Sequence, residues 1–111
     1  MNKVIKLLTS LGFIDVTHDK PIKFIDCFDC GFDNMYDFNV RLKRLKDDVL
    51  SEVLIGFPAI MSTRNIINVK VNSFYKNCQS TAFYCIHIDF YKKEIPLIIE
   101  NNEAYLTRNV K

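Results

Sequence analysis

Cys27-Phe28-Asp29-Cys30-Gly31 is the segment of this sequence whose residue types and spacing most suggest chemistry. A Cys-x-x-Cys pair in a tight turn can aim both thiolates at one tetrahedral zinc ion. A complete site needs two further ligands. The other two cysteines, Cys78 and Cys85, have six residues between them and lack that spacing. A redox pair would need a helix N-terminus to lower the thiol pKa, and good helix formers do not follow Cys30. The expectation is therefore ordinary thiols, no stable zinc and no cofactor.

His18 and His87 are the two histidines. Cys85, His87 and Asp89 would share one face of a strand, but same-face neighbours on a strand stand about 7 Å apart. That is beyond hydrogen-bond reach, so the row does not make a catalytic triad. His18 falls in a turn beside Asp19 and Pro21. Gly12, Gly31 and Gly56 are too dispersed for a phosphate-binding loop, and no nucleophile-elbow, zinc-protease or calcium-loop motif occurs. The sequence predicts no catalytic residues.

Charge is distributed more tellingly than its net value of +2. Asp26, Asp29, Asp33 and Asp37 fall in one stretch with Phe28, Phe32 and Tyr36 interleaved. Arg41, Lys43, Arg44 and Lys46 follow at once with no acid among them. Aromatic anchors ringed by charge are interface chemistry. An acidic surface suits a basic partner, such as a toxin or nuclease domain. Asp26, Asp29, Phe32, Asp33, Tyr36 and Asp37 are thus the expected partner-binding residues. The rival use of the boundary is nucleic-acid binding through residues 41–46, with stacking from Tyr36 and Phe38.

The elements that must position these groups read as follows. Val4, Ile5, Leu7, Leu8 and Leu11 keep the helical period, with Gly12 as the stop, so residues 3–11 form a helix. Residues 13–16 form a short strand, and residues 22–30 favour a strand. Tyr36, Phe38, Val40 and Leu42 alternate with polar residues as in a half-buried strand, with Cys30 to Asn34 as the hairpin turn. Asp47 or Asp48 caps a helix over 48–56, with Glu52 in a capping-box position; one longer helix from Asn39 to Ile55 is the rival. Residues 66–74 are a strand and Lys76 to Ser80 a turn. Ala82 to Tyr91 is expected to be a central strand, because both its faces are apolar. Pro96 to Glu100 and Ala104 to Thr107 form a last hairpin around Asn101-Asn102. Strands and helices do not alternate strictly. The fold class is α+β, a mainly antiparallel sheet of five to seven strands with two helices packed on it.

The 111 residues fit a single domain, with 49% hydrophobic and 25% charged residues, both ordinary globular values. Lys6 interrupts the apolar N-terminal run, and no apolar run approaches the roughly 20 residues of a membrane helix. A cytoplasmic protein without a membrane partner is expected, and a small-molecule ligand is not. In size, composition and lack of a catalytic motif the chain resembles the small immunity proteins of bacterial toxin systems, such as contact-dependent growth inhibition. The resemblance is of kind, and no residue carries over from it. It implies a non-catalytic protein that binds one cognate toxin domain and blocks it; a nucleic-acid-binding regulator of phage or plasmid origin is the alternative.

Overall fold

In a computed structural model the described residues are 2–20, 38–58 and 64–109. They form helix α1 (Asn2–Ser10), strands β1 (Ile14–Asp15), β2 (Val40–Lys46), β3 (Val49–Gly56), β4 (Ile66–Tyr75) and β5 (Cys78–His87), a short 3-10 turn (Ile88–Phe90) and helix α2 (Tyr91–Asn109). The strands make one antiparallel meander in the order β1-β2-β3-β4-β5. The fold is α+β, with five strands and two helices among the described residues.

Register sorts the side chains. Leu42, Val53, Val71 and Ala82 pair in one row across the sheet. Leu42, Val53 and Val71, with Ile55, Ile67, Val69 and Ile86, form the face that meets Val4 and Leu8 of α1 and Tyr91, Ile95 and Ile99 of α2 in one core. Both helices therefore cover the same face. The other face carries Arg41, Lys43, Leu45, Leu50, Glu52, Leu54, Lys70, Asn72 and Phe83, since successive strand residues alternate sides.

Two turns explain where sequence reasoning went astray. Asp47 and Asp48 both have φ in the left-handed region, 52° and 65°. A two-residue type I′ hairpin needs this at both positions, and Asp tolerates it. The pair closes β2 onto β3 rather than capping a helix, so neither the helix over 48–56 nor the longer one over 39–55 exists. The β4–β5 turn is also tighter than expected, with only Lys76 and Asn77 between the strands. That shift starts β5 at Cys78 and ends it at His87, and among the described strands the meander leaves it last in the order, not central.

The expected hairpin at 96–107 is instead part of α2, a helix of 19 residues. Tyr91, Ile95, Ile99 and Leu106 are buried at spacings of four, four and seven, one helical stripe. Pro96 lies inside this helix. It removes one N–H donor early in the helix, a local loss that packing outweighs. Asn102 reads as a turn residue in sequence but is buried, donating to the Ile98 carbonyl (2.7 Å) and to the Tyr84 hydroxyl (3.2 Å). No described helix is long and apolar enough to cross a membrane. The sequence-predicted stretches at 22–30 and 30–34 lie outside the described residues.

Although β5 is the last of the described strands, Ile86 is only 2% exposed, because the helices cover its face. Ile86→Ala should lower stability by about 2–5 kcal/mol through lost burial and a residual cavity. A denaturant titration measures this, and a change near zero would contradict the packing described.

Candidate interaction surface

Arg44 and Arg41 define what the polar groups of β2 do. Arg44 points to the helix side. It donates to the Leu11 carbonyl (2.7 Å) and to Glu103 Oε1 (2.8 Å), and its guanidinium lies 4.6 Å from the Phe13 ring centroid. Ser51 Oγ donates to the same Glu103 oxygen at 2.6 Å. Gly12 makes room for this arrangement: its φ is +95°, and a Cβ there would stand 3.4 Å from Arg44 Cδ. On the opposite face Arg41 donates to the carbonyls of Val16 (2.9 Å) and Asp19, and its Nε stands 3.7 Å from Glu52 Oε2. Asn72 Nδ2 donates to Glu52 Oε1 at 3.1 Å. Glu52, Asn72 and Lys70 are all buried there.

Alternation along β2 thus divides the basic segment. Arg41 and Lys43 share one face, Arg44 and Lys46 the other, and both arginines are engaged within the fold. Residues 41–46 do not form a four-cation surface on one side.

The other sequence-predicted groups do not converge. Asp89 lies in the 3-10 turn beyond β5, so the expected strand row with Cys85 and His87 is not formed. Its backbone N–H donates to His87 Nδ1 (3.2 Å), and its carboxylate stands 3.5 Å from that nitrogen with both side chains well exposed. Cys78 and Cys85 are free thiols. Among the described residues no group of three or more His, Cys, Asp or Glu side chains could hold a metal ion. Asp26, Asp29, Phe32, Asp33, Tyr36 and Asp37, with Cys27 and Cys30, lie outside the described residues.

What sequence reasoning missed is an apolar strip on the face opposite α1 and α2. Leu45, Leu50 and Phe74 are register partners in adjacent strands. Ile14, opposite Lys43, extends the strip diagonally onto β1. Leu45 is 72% and Ile14 62% exposed. Lys43, Asp15, Asp47 and Asp48 surround them in sequence and register. An exposed apolar centre with a charged rim is the anatomy of a protein interface. The signal was the alternation of Leu45 with cations, which became readable only once β2 was known to run to Lys46. Beside this end of the sheet the Thr17 hydroxyl and backbone N–H both donate to Asp15 and hold its carboxyl below the usual carboxylate pKa.

Comparison with known protein families, characterised proteins and solved structures finds no match to this chain.

Glu103→Leu should strand the Arg44 guanidinium, whose side chain is 10% exposed, and destabilise by about 2–4 kcal/mol. Arg44→Met combined with Glu103→Leu should recover most of that loss in thermal or chemical unfolding, because the apolar pair needs no charge partner. Thr17→Val should raise the Asp15 pKa in an NMR titration. Since the folded value is depressed, Asp15 contributes stability above its unfolded pKa and loses it as pH falls through the folded one. The variant should therefore flatten that acid-side loss, and an unmoved Asp15 pKa would exclude the Thr17 hydroxyl as its cause.

Proposed function

We propose that this chain is a non-catalytic binding protein, an immunity protein that binds and neutralises a cognate bacterial toxin domain. The observation that carries the reading is the strip of Ile14, Leu45, Leu50 and Phe74, two of whose members are more than half exposed amid charged neighbours. Solvated leucine and isoleucine side chains are the material of a docking centre, and desolvating them supplies affinity. The acidic stretch with Asp26, Asp29, Asp33 and Asp37, together with Phe32 and Tyr36, would speed encounter with a basic toxin or nuclease domain. A regulator that holds nucleic acid through residues 41–46 is less well supported, because the fold divides those cations between two faces and engages both arginines.

The test is co-expression and binding with candidate basic toxin domains, beginning with any encoded next to this chain. A one-to-one complex and protection of growth are expected. Leu45→Glu should weaken the complex about tenfold or more while circular dichroism stays unchanged. Asp29→Asn with Asp33→Asn should slow association and flatten its salt dependence. Tight, steeply salt-dependent binding to duplex DNA, with no effect on any toxin, would overturn the proposal in favour of the regulator.

A further inference from the structure

Two cavities adjoin on the helix side of the molecule, between the first turns of α1 and α2. The smaller, about 310 Å³, is walled by Lys3, Lys6 and Leu7 of α1 and by Tyr91 and Lys92 of α2. The larger, about 420 Å³, shares Lys3, Tyr91 and Lys92 and adds Val4, Ile88 and Asp89. Both fall in the size range of small-molecule sites. The floor is recessed, with Val4 1% and Tyr91 7% exposed. The rim is cationic. Lys3, Lys6 and Lys92 are exposed, and among the described residues none of them pairs with a carboxylate. Asp89 is the one acid among the residues that line the groove, and its carboxylate stands 3.5 Å from His87 Nδ1.

The two helices run the same way. Lys3 and Val4 at the start of α1 share a cavity with Tyr91 and Lys92 at the start of α2. Leu11, just past the end of α1, shares another with Ile99 and Glu103 further along α2. The positive ends of both helix dipoles therefore meet at the groove. Acids in a first turn normally offset that charge. α1 has none there, and α2 has Glu94, which lines neither cavity. The N–H groups of Ile88 and Asp89, just before α2, are taken by the Asn65 carbonyl (2.7 Å) and His87 Nδ1 (3.2 Å). What α2 adds at this end is thus field rather than free donors.

One polar group at the wall is unmatched. Tyr91 lines both cavities, and its buried hydroxyl has no hydrogen-bond partner. An unpaired buried hydroxyl carries the cost of its lost hydration, and an anionic oxygen in the groove is the partner its chemistry calls for.

We propose that this groove binds a small organic phosphate, a phosphate group joined to an apolar body. The phosphate sits in the smaller cavity, where the three lysines meet and no acid lines the wall. Lysine binds phosphate as a point charge, and helix N-terminal ends favour the same group. The apolar body covers the Tyr91 ring and enters the larger cavity over Val4 and Ile88. A lipid surface fits less well, because Val4 and Tyr91 are sunk beneath the lysines, whereas a helix that lies in a membrane presents its apolar face outward. The groove lies on the helix side and is separate from the apolar strip of Ile14, Leu45, Leu50 and Phe74.

Titrating the isotope-labelled chain with phenyl phosphate, followed by NMR, tests this without reference to any toxin. Saturable one-to-one amide shifts centred on Lys3, Lys6, Tyr91 and Lys92 are expected. Inorganic phosphate should bind more weakly, and uncharged benzyl alcohol should give no saturable shift. Lys3→Gln with Lys92→Gln should weaken phenyl phosphate binding about tenfold or more. Both side chains are exposed, so thermal unfolding of the free protein should stay unchanged. Tyr91→Phe removes only the unpartnered hydroxyl and should lose affinity as well. A loss in either variant places the phosphate in the groove. Shifts that never saturate, an affinity unchanged in both variants, or binding only to phosphatidylglycerol vesicles would overturn the proposal. None of these results bears on toxin binding, which is assigned to the other face of the sheet.

Discussion

A single ion pair holds the arrangement on which the other surfaces depend. Arg44 joins the end of α1 through the Leu11 carbonyl, lies on Phe13, and bonds Glu103 of α2, while Ser51 of β3 shares the same carboxylate oxygen. A charge this poorly hydrated is tolerable only when paired and hydrogen-bonded. The geometry of α2 over the sheet is therefore set at one point as well as by the apolar stripe of Ile95, Ile99 and Leu106. The stripe fixes which side of the helix faces inward. The ion pair fixes how far the helix slides and turns, since a carboxylate must meet a guanidinium at 2.8 Å.

The two faces of β2 show how one strand can serve both sides of a sheet. Leu42 and Arg44 belong to the helix side, the first as core and the second as tie. Arg41 belongs to the other, where it holds the turn after β1 and meets Glu52, itself bonded to Asn72. A cation-rich segment looks in sequence like a ligand surface. In the fold both arginines are internal wiring, because each donates to backbone carbonyls of other segments and meets a carboxylate.

How much of this was legible in the sequence depended on which signals had a single meaning. The apolar run at 66–74 and the period of α1 each fit one element; the alternation at 36–42 marks a strand too, but Phe38 and Asn39 lie before it and it runs on to Lys46. Asp47-Asp48 had two meanings, a helix cap or a left-handed hairpin turn. The apolar residues of β3 could not decide between them, since β3 is buried on both faces and shows no alternation. Pro96 and Asn101-Asn102 likewise resembled turn residues, although Tyr91, Ile95, Ile99 and Leu106 kept a helical period through them. The apolar strip of Ile14, Leu45, Leu50 and Phe74 left only one trace, Leu45 among cations, since the rest exists only through register between four strands. The acidic stretch at 26–37, the expected docking residues, was legible as composition, and its place in the fold lies outside the described residues.

The topology itself explains why binding surfaces gather at the margins. A meander of consecutive antiparallel strands buries its middle members on both sides; β3 and β4 are almost wholly buried. The two helices cover one face, and the residues left over are at the ends of the chain's path. At the β1–β2 end, the shortness of β1 exposes Ile14 and Leu45, and cations and Asp residues keep that apolar centre apart from other sheets. At the β5 end no charge guards the backbone. Its ten residues include no Asp, Glu, Lys or Arg, in contrast to the four cations of β2.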